Sequence, residues 1–240
     1  MARPIICSSM AEAVAGIPDG IQLLVPGFGP GTPANLLTAL YDAGVKDIHV
    51  YANSVGLPQG ASDGRKTLND LIAARRVRKV TAAFTAPTHP SQASVPADMI
   101  RAGELEAELV PQGTLAERVR AGGAGIPAFF TPAGVGTLTA EGKEHREFNG
   151  RMYVMEHAIF ADYAFIRAWK ADTLGNLIYR RSARNFNPIF AMGAAHTIVE
   201  GEEPIVPAGE LDPDQIHTPG VVIERLVQIP ADGYFREIPR

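Results

Sequence analysis

Short apolar runs alternate with amphipathic segments through the first half of this sequence, and that alternation restricts the fold more than any other feature. Four runs have the length and composition of buried strands: Ile21–Val25, Ile48–Ala52, Lys79–Phe84 and Leu105–Val110. Between them, the spacing of apolar residues predicts helices over Ala34–Ala43, Thr67–Arg76 and Ser91–Ala102. Strands that alternate with helices of this size predict an α/β fold built on an open, largely parallel sheet.

The second half of the chain has fewer predicted helices and shorter predicted strands. Turns such as Asn149-Gly150 join strands predicted at Arg151–Met155, Tyr163–Trp169 and Asn176–Tyr179, and the first two strands have the spacing of a hairpin. Two further strands are predicted at His196–Val199 and Val221–Val227. We therefore expect the sheet to become mixed in this half. We expect one α/β domain over residues 1–230, followed by a loosely held tail over residues 231–240.

The composition is that of an ordinary soluble protein. The 240 residues carry a net charge of −4 and 46% of them are apolar, so nothing favours a nucleic-acid ligand. The apolar runs are shorter than the roughly 20 residues of a membrane-spanning helix, and the N-terminus lacks the pattern of a signal peptide. With Cys7 as the single cysteine, the sequence predicts a cytoplasmic protein without a disulfide framework or a thiolate metal site.

Three of the predicted strands end in residues suited to binding an anion or a polarised carbonyl group. The first runs into Gly27-Phe28-Gly29 and then into a helix, an arrangement that presents free backbone N–H groups. The second ends at Asn53-Ser54 and the fourth at Gln112-Gly113, whose carboxamides donate hydrogen bonds without adding charge. Because ligands of open parallel sheets sit beyond the carboxyl ends of the strands, we expect one shared binding edge. Taken singly, the glycines also fit a tight turn and the amides fit loop capping.

The stretch Pro111–Thr137 is dense in glycine and proline, which indicates that backbone must closely approach another group. No nucleophile with an adjacent base is evident. The six histidines have no metal-ligand spacing, Cys7 has no basic neighbour to activate it, and Ser54 and Ser182 have no adjacent base. The acidic run Glu200–Glu203 is typical of a surface loop. If the chain is an enzyme, we expect the reactive group to come from a second chain.

Several of these segments together resemble the alpha (A) subunits of the class I 3-oxoacid CoA-transferases, of the 3-oxoadipate and acetoacetate type. The matching segments are Gly27-Phe28-Gly29, Ala52-Asn53-Ser54, Pro111–Arg118, Gly122–Gly136, Arg146–Gly150 and Ala183–Asn187. The resemblance implies an α/β fold like that of other CoA-transferase subunits and a complex with a beta (B) subunit, expected as α2β2. It also implies a nucleophilic glutamate on the B subunit, so that no catalytic residue is expected in this chain. Coenzyme A thioester is then a substrate, and no cofactor is expected to be bound permanently.

The reaction implied by the resemblance is ping-pong. The glutamate attacks an acyl-CoA, passes through a mixed anhydride, and holds CoA as a glutamyl thioester before an acceptor acid takes it. The expected substrates are a small 3-oxo acid such as 3-oxoadipate or acetoacetate, with succinyl-CoA or acetyl-CoA as donor. Matched residue by residue, Gly27, Phe28 and Gly29 form the family's glycine loop near the acyl group. Asn53 is the first residue of an Asn-Asn pair, and Gln112 with Gly113 belongs to a Pro-Gln-Gly motif.

Two departures from the family pattern lie where the acyl group is expected. Pro26 replaces the first glycine of the loop, which is also one residue shorter after Gly29, and Ser54 stands where a second asparagine is common. These changes bear on the identity of the substrate more than on the class of reaction. Two alternatives stay open: a CoA-ester hydrolase on the same two-subunit scaffold, and a non-catalytic module that binds a CoA ester or an acid.

Overall fold

Thirteen strands and six α-helices are formed by the residues that the computed structural model describes, namely 3–27, 29–55, 64–86 and 93–230. Phe28 and the predicted tail, 231–240, lie outside the described residues. The strands are β1 (Ile5–Cys7), β2 (Gln22–Val25), β3 (Ile48–Ser54), β4 (Val77–Phe84), β5 (Glu106–Leu109), β6 (Ala128–Thr131), β7 (His145–Phe148), β8 (Arg151–His157), β9 (Ala161–Ala168), β10 (Lys170–Ala171), β11 (Leu177–Ile178), β12 (Ala194–Gly201) and β13 (Arg225–Gln228). The helices are α1 (Met10–Ala13), α2 (Ala34–Asp42), α3 (Leu68–Ala73), α4 (Val95–Arg101), α5 (Gln112–Gly123) and α6 (Asn187–Met192). None of these helices has the length and apolar composition needed to cross a bilayer.

Eight strands form one large sheet in the order β1-β13-β12-β9-β2-β3-β4-β5, and every neighbouring pair is parallel. The predicted α/β fold with an open, largely parallel sheet is therefore confirmed. In the register of the sheet, Val25 of β2 lies beside Ala52 of β3, and Ala82 of β4 lies beside Leu109 of β5. The carboxyl ends of these strands consequently lie along one edge.

The antiparallel strands expected in the second half do not turn the large sheet mixed, because they form two separate small sheets. β8 pairs with β6 and β7, and β10 pairs with β11. The hairpin is made by β7 and β8 around Asn149-Gly150, whose φ angles of 51° and 76° suit a two-residue turn. The predicted pairing of β8 with β9 is wrong, since β9 lies between β2 and β12 in the large sheet. The chain crosses over through α6 before β12, and such a crossover returns the next strand in parallel.

Alternating side chains of the large sheet divide the core into two layers. Leu23 and Val25 pack in the layer that contains α1 to α4, whereas Leu24 packs in the layer that contains α5 and α6. A parallel sheet covered on both faces needs apolar side chains in both directions, which explains why its strands are continuous apolar runs in the sequence. Full burial of a leucine side chain stabilises a fold by about 1.5–3 kcal/mol. These two layers therefore fix the sheet whose edge carries the site.

The last turn of α5 packs directly against backbone. A Cβ atom at Gly122 would lie 2.0 Å from the carbonyl oxygen of Ile159, and one at Gly123 would lie 2.4 Å from that of Met192. The N–H of Ile159 donates to the carbonyl oxygen of Arg118 at 2.8 Å, so the segment between β8 and β9 is also hydrogen-bonded to α5. Two glycines of the dense stretch thus allow a close approach within the chain itself.

We expect Gly122→Ala to destabilise the protein by about 1–3 kcal/mol, because the added methyl group must push α5 away from Ile159. Gly113→Ala on the same helix is the matched control, since a Cβ atom there meets no described residue within 4 Å. Denaturant unfolding of both variants measures the difference. Equal stability of the two variants would contradict the packing role of Gly122.

Candidate functional site

The ends of β2, β3 and β5 meet at the carboxyl edge of the large sheet. Nε2 of Gln112 donates a hydrogen bond to Oδ1 of Asn53, with 2.6 Å between the two atoms. The N–H of Asn53 donates to the carbonyl oxygen of Pro26 at 3.2 Å, which places the start of the glycine loop beside the end of β3. The structure thus brings together the candidate positions Gly27, Asn53 and Gln112, with Gly113 next to Gln112.

Strand alternation and the path of α5 explain why Asn53 and Gln112 meet. Asn53 lies two residues after Tyr51, whose side chain packs in the layer of α5 and α6, whereas Ala52 packs in the opposite layer. Because side chains alternate along a strand, Asn53 faces the layer of α5. Helix α5 contacts β4 and begins at Gln112. Gln112 therefore reaches Asn53 across the end of β4.

Gly27 occupies a position that only glycine fits. Its φ angle is +60°, and a Cβ atom there would lie 2.7 Å from the carbonyl oxygen of Ser54. Gly29 has a φ angle of +89°, and a Cβ atom there would meet none of the described residues within 4 Å. The first glycine lets the loop lie against β3. Among the described residues, nothing packs against the backbone at Gly29.

The groups at this edge are hydrogen-bond donors. Gln112 and Gly113 are the first two residues of α5, so their backbone N–H groups have no acceptor within the helix. The dipole of α5 adds partial positive charge at the same place. The side chain of Asn53 is buried and that of Gln112 is exposed, so the pair connects the strand end with the surface. These groups suit a carboxylate or a thioester carbonyl, and none of them can attack a carbonyl carbon.

The sequence prediction was wrong for Glu200, which was placed in a surface loop. Glu200 lies in β12 and is fully buried. Its Oε2 accepts a hydrogen bond from the N–H of Leu36 at 2.8 Å, and its Oε1 accepts one from the side chain of Asn35 at 3.1 Å. Both donors lie in the first turn of α2, just after the glycine loop. Burial raises the pKa of Glu200 to about 7, against the attraction of Arg167 and these two hydrogen bonds.

Arg167 is a second residue that sequence reasoning missed. It lies in β9, is 3% exposed, and donates from Nε to Oε1 of Glu202 at 2.9 Å. β9 and β12 are central strands covered on both faces, so a charged residue within them must find partners inside the protein. The signal for Glu200 was its position directly after Ile198 and Val199, two apolar residues of a predicted strand. The acidic residues that follow it gave the run the composition of a loop.

An open parallel sheet with a glycine loop, a helix N-terminus and two carboxamides at its carboxyl edge defines an α/β protein suited to an anionic or carbonyl-bearing ligand. The chain belongs to the coenzyme A transferase family, whose model matches residues 7–228. This match confirms the resemblance drawn from the sequence motifs, and it confirms CoA-transferase as the class of enzyme.

Individual relatives match most of the chain. It is 50% identical over 223 residues to the A subunit of the probable succinyl-CoA:3-ketoacid coenzyme A transferase of Bacillus subtilis (strain 168), with 92% of this chain and 89% of that protein covered. It is 47% identical over 222 residues to the A subunit of the 3-oxoadipate CoA-transferase of Pseudomonas putida, with 92% of each covered. Glutaconate coenzyme A-transferase from Acidaminococcus fermentans shares the fold, with a TM-score of 0.80 at 19% identity over 95% of this chain and 77% of that chain.

Because the pKa of Glu200 is raised in the folded protein, the free energy of unfolding depends on pH, and the sign of that dependence follows from the shift. The folded protein binds the Glu200 proton more tightly than the unfolded chain does. This contribution to stability is therefore present below the unfolded pKa of about 4.3 and is lost as the pH rises through about 7. Relative to Glu200→Gln, we expect the wild-type free energy of unfolding to fall by up to roughly 3 kcal/mol between about pH 5 and pH 8. Denaturant unfolding across this range measures the difference, with Glu210→Gln as the exposed control. Parallel pH profiles for wild type and Glu200→Gln would contradict the assignment.

Proposed function

We propose that this chain is the A subunit of a CoA-transferase that moves CoA from succinyl-CoA to a small 3-oxo acid such as 3-oxoadipate or acetoacetate. Support comes from relatives named as A subunits of succinyl-CoA:3-ketoacid and 3-oxoadipate CoA-transferases. Within the chain, the observation that carries the proposal is the contact of Gln112 with Asn53 beside Gly27. These residues provide donors for an acyl oxygen and leave the nucleophile to another chain.

In the proposed reaction, a glutamate carboxylate from the B subunit first attacks the thioester carbonyl of the acyl-CoA and expels the CoA thiolate. The product of this step is a mixed anhydride of the acyl group and the glutamate. The thiolate then attacks the glutamyl carbonyl, which releases the first acid and leaves CoA on the glutamate as a thioester. The acceptor acid repeats these steps in reverse and leaves as its own CoA thioester.

The present chain orients the reacting group and stabilises charge. In each attack, negative charge develops on a carbonyl oxygen, and preorganised N–H donors stabilise that oxygen more than they stabilise the ground state. We assign this role to the loop backbone from Gly27 to Gly29, the carboxamides of Asn53 and Gln112, and the N–H of Gly113. The partner is a B subunit in an α2β2 assembly. The word "subunit" in the names of the relatives supports a partner.

We expect Gln112→Ala, assayed in the complex with the B subunit, to lower kcat by about 10²–10³, the usual cost of losing one such donor. The matched control is Gln228→Ala, because Gln228 is an exposed glutamine at the carboxyl end of β13, a strand separated from β3 by three others. Both variants should assemble with the partner. Steady-state kinetics of each complex measure kcat for both variants. An unchanged kcat for Gln112→Ala would remove Gln112 from the site.

We expect the purified chain alone to transfer no CoA and to form no acyl-enzyme, because the candidate site residues that the structure describes are donors and not nucleophiles. Co-purification with a B subunit should restore transfer. The measurement is CoA-ester turnover with and without an acceptor acid, for the chain and for the complex. Transfer by the isolated chain would contradict the divided site. Acceptor-independent loss of the thioester in the complex would favour the hydrolase, and a complex that binds the ester without turnover would favour the binding module.

A further inference from the structure

Three consecutive carbonyl oxygens after Gly29 are approached by donor side chains from the second half of the chain. The pairs and their distances are Asn185 Nδ2 to Pro30 at 2.7 Å, Asn187 Nδ2 to Gly31 at 3.2 Å, and Arg167 Nη1 to Thr32 at 3.5 Å. We call Asn185, Asn187 and Arg167 the loop brace. Arg167 lies in β9, Asn185 lies just before α6, and Asn187 is the first residue of α6. The segment that directly follows the glycine loop is therefore held by a part of the chain more than 130 residues away.

Asn187 is the centre of the loop brace. It is fully buried, and its carboxamide uses both ends. Oδ1 accepts a hydrogen bond from the N–H of Arg167 at 3.0 Å, while Nδ2 donates to Gly31 and also to the carbonyl oxygen of Ala183 at 2.9 Å. A Cβ atom at Gly31 would lie 2.9 Å from Nδ2 and 2.5 Å from the oxygen of Ala183. The contact between loop and brace thus leaves no room for a side chain at Gly31.

The brace also reaches Gly29, through Thr32. Thr32 donates to the carbonyl oxygen of Gly29 from its N–H at 3.1 Å and from Oγ1 at 2.7 Å. Because the peptide group that joins Gly31 to Thr32 is planar, the hydrogen bond from Asn187 to the carbonyl of Gly31 also orients the N–H of Thr32, which in turn holds the carbonyl of Gly29. On the other side, Glu200 accepts the N–H of Leu36 and so holds the first turn of α2. Residues 29–36 are therefore held at both ends.

We propose that Asn187 and Arg167 are positioning residues for the reaction, which act by fixing the glycine loop so that its backbone N–H groups point at the reacting acyl oxygen. This inference rests on the function proposed above, because it assigns those N–H groups to the transition state. Donors that are misplaced by a fraction of an ångström lose charge stabilisation while substrate still binds. The effect of a weakened brace therefore falls on kcat more than on KM.

The test uses the variant Asn187→Asp in complex with the B subunit. Aspartate keeps the shape and the acceptor for the N–H of Arg167 but replaces the donor that faces Gly31 and Ala183. The matched control is Thr197→Val, which removes one buried hydrogen bond, from Oγ1 to the carbonyl oxygen of Ala191 in α6 at 2.8 Å. Asn185→Ala, at a half-buried position, is the milder variant if Asn187→Asp does not fold. Each complex is measured by steady-state kinetics, thermal unfolding and hydrogen–deuterium exchange of the peptides that cover residues 26–37.

We expect Asn187→Asp to lower kcat at least about tenfold with KM values within about threefold, and to speed amide exchange in residues 29–37. Thr197→Val should lose comparable thermal stability and keep kcat within about twofold. Equal losses of kcat in the two variants, or unchanged exchange in the loop, would overturn the positioning role. If the wild-type complex shows no transfer, the proposed function fails, while the exchange data still decide whether the brace fixes the loop.

Discussion

The parallel alignment of β2, β3 and β5 is the constraint on which the candidate site depends. Parallel strands in one register end at the same edge, so the glycine loop, Asn53 and Gln112 arrive together although they are far apart in the sequence. Alternation along β3 then decides that Asn53 faces α5. A shift of β3 by one residue would turn Asn53 toward the opposite layer and break its contact with Gln112.

The edge of the sheet could be predicted from the sequence because its signals are local. In the sequence, glycines follow one predicted buried strand and amides follow two further predicted strands. Because the carboxyl ends of parallel strands lie along one edge, these residues could be expected to meet there. Glu200 could not be predicted in the same way. Its burial depends on β12 lying between β9 and β13, and nothing local in the acidic run reports that neighbourhood. The glycines of α5 were partly predictable. Their density in the sequence indicated that backbone comes close to another group, but only the fold shows that this group is the backbone at Ile159 and Met192.

The buried polar groups around the glycine loop have an energetic cost. Taking Glu200 and Arg167 out of water costs several kcal/mol each, and well-packed apolar residues of similar size are often as stabilising. Hydrogen bonds offset this cost here, since Glu200 accepts an N–H of the first turn of α2 that has no acceptor within the helix. Apolar residues could fill the same volume but could not fix the carbonyls of residues 30–32. The proposed positioning role gives Arg167 and Asn187 a function that packing alone does not explain.

The proposed function divides the active site between two chains. The central claim is that the covalent step occurs on the partner chain while this chain orients the acyl group. The most direct measurement is intact mass spectrometry of both chains after the complex has reacted with acyl-CoA in the absence of an acceptor acid. We expect the mass of a covalently bound CoA or acyl group only on the B subunit. A covalent adduct on a carboxylate of this chain would contradict the claim.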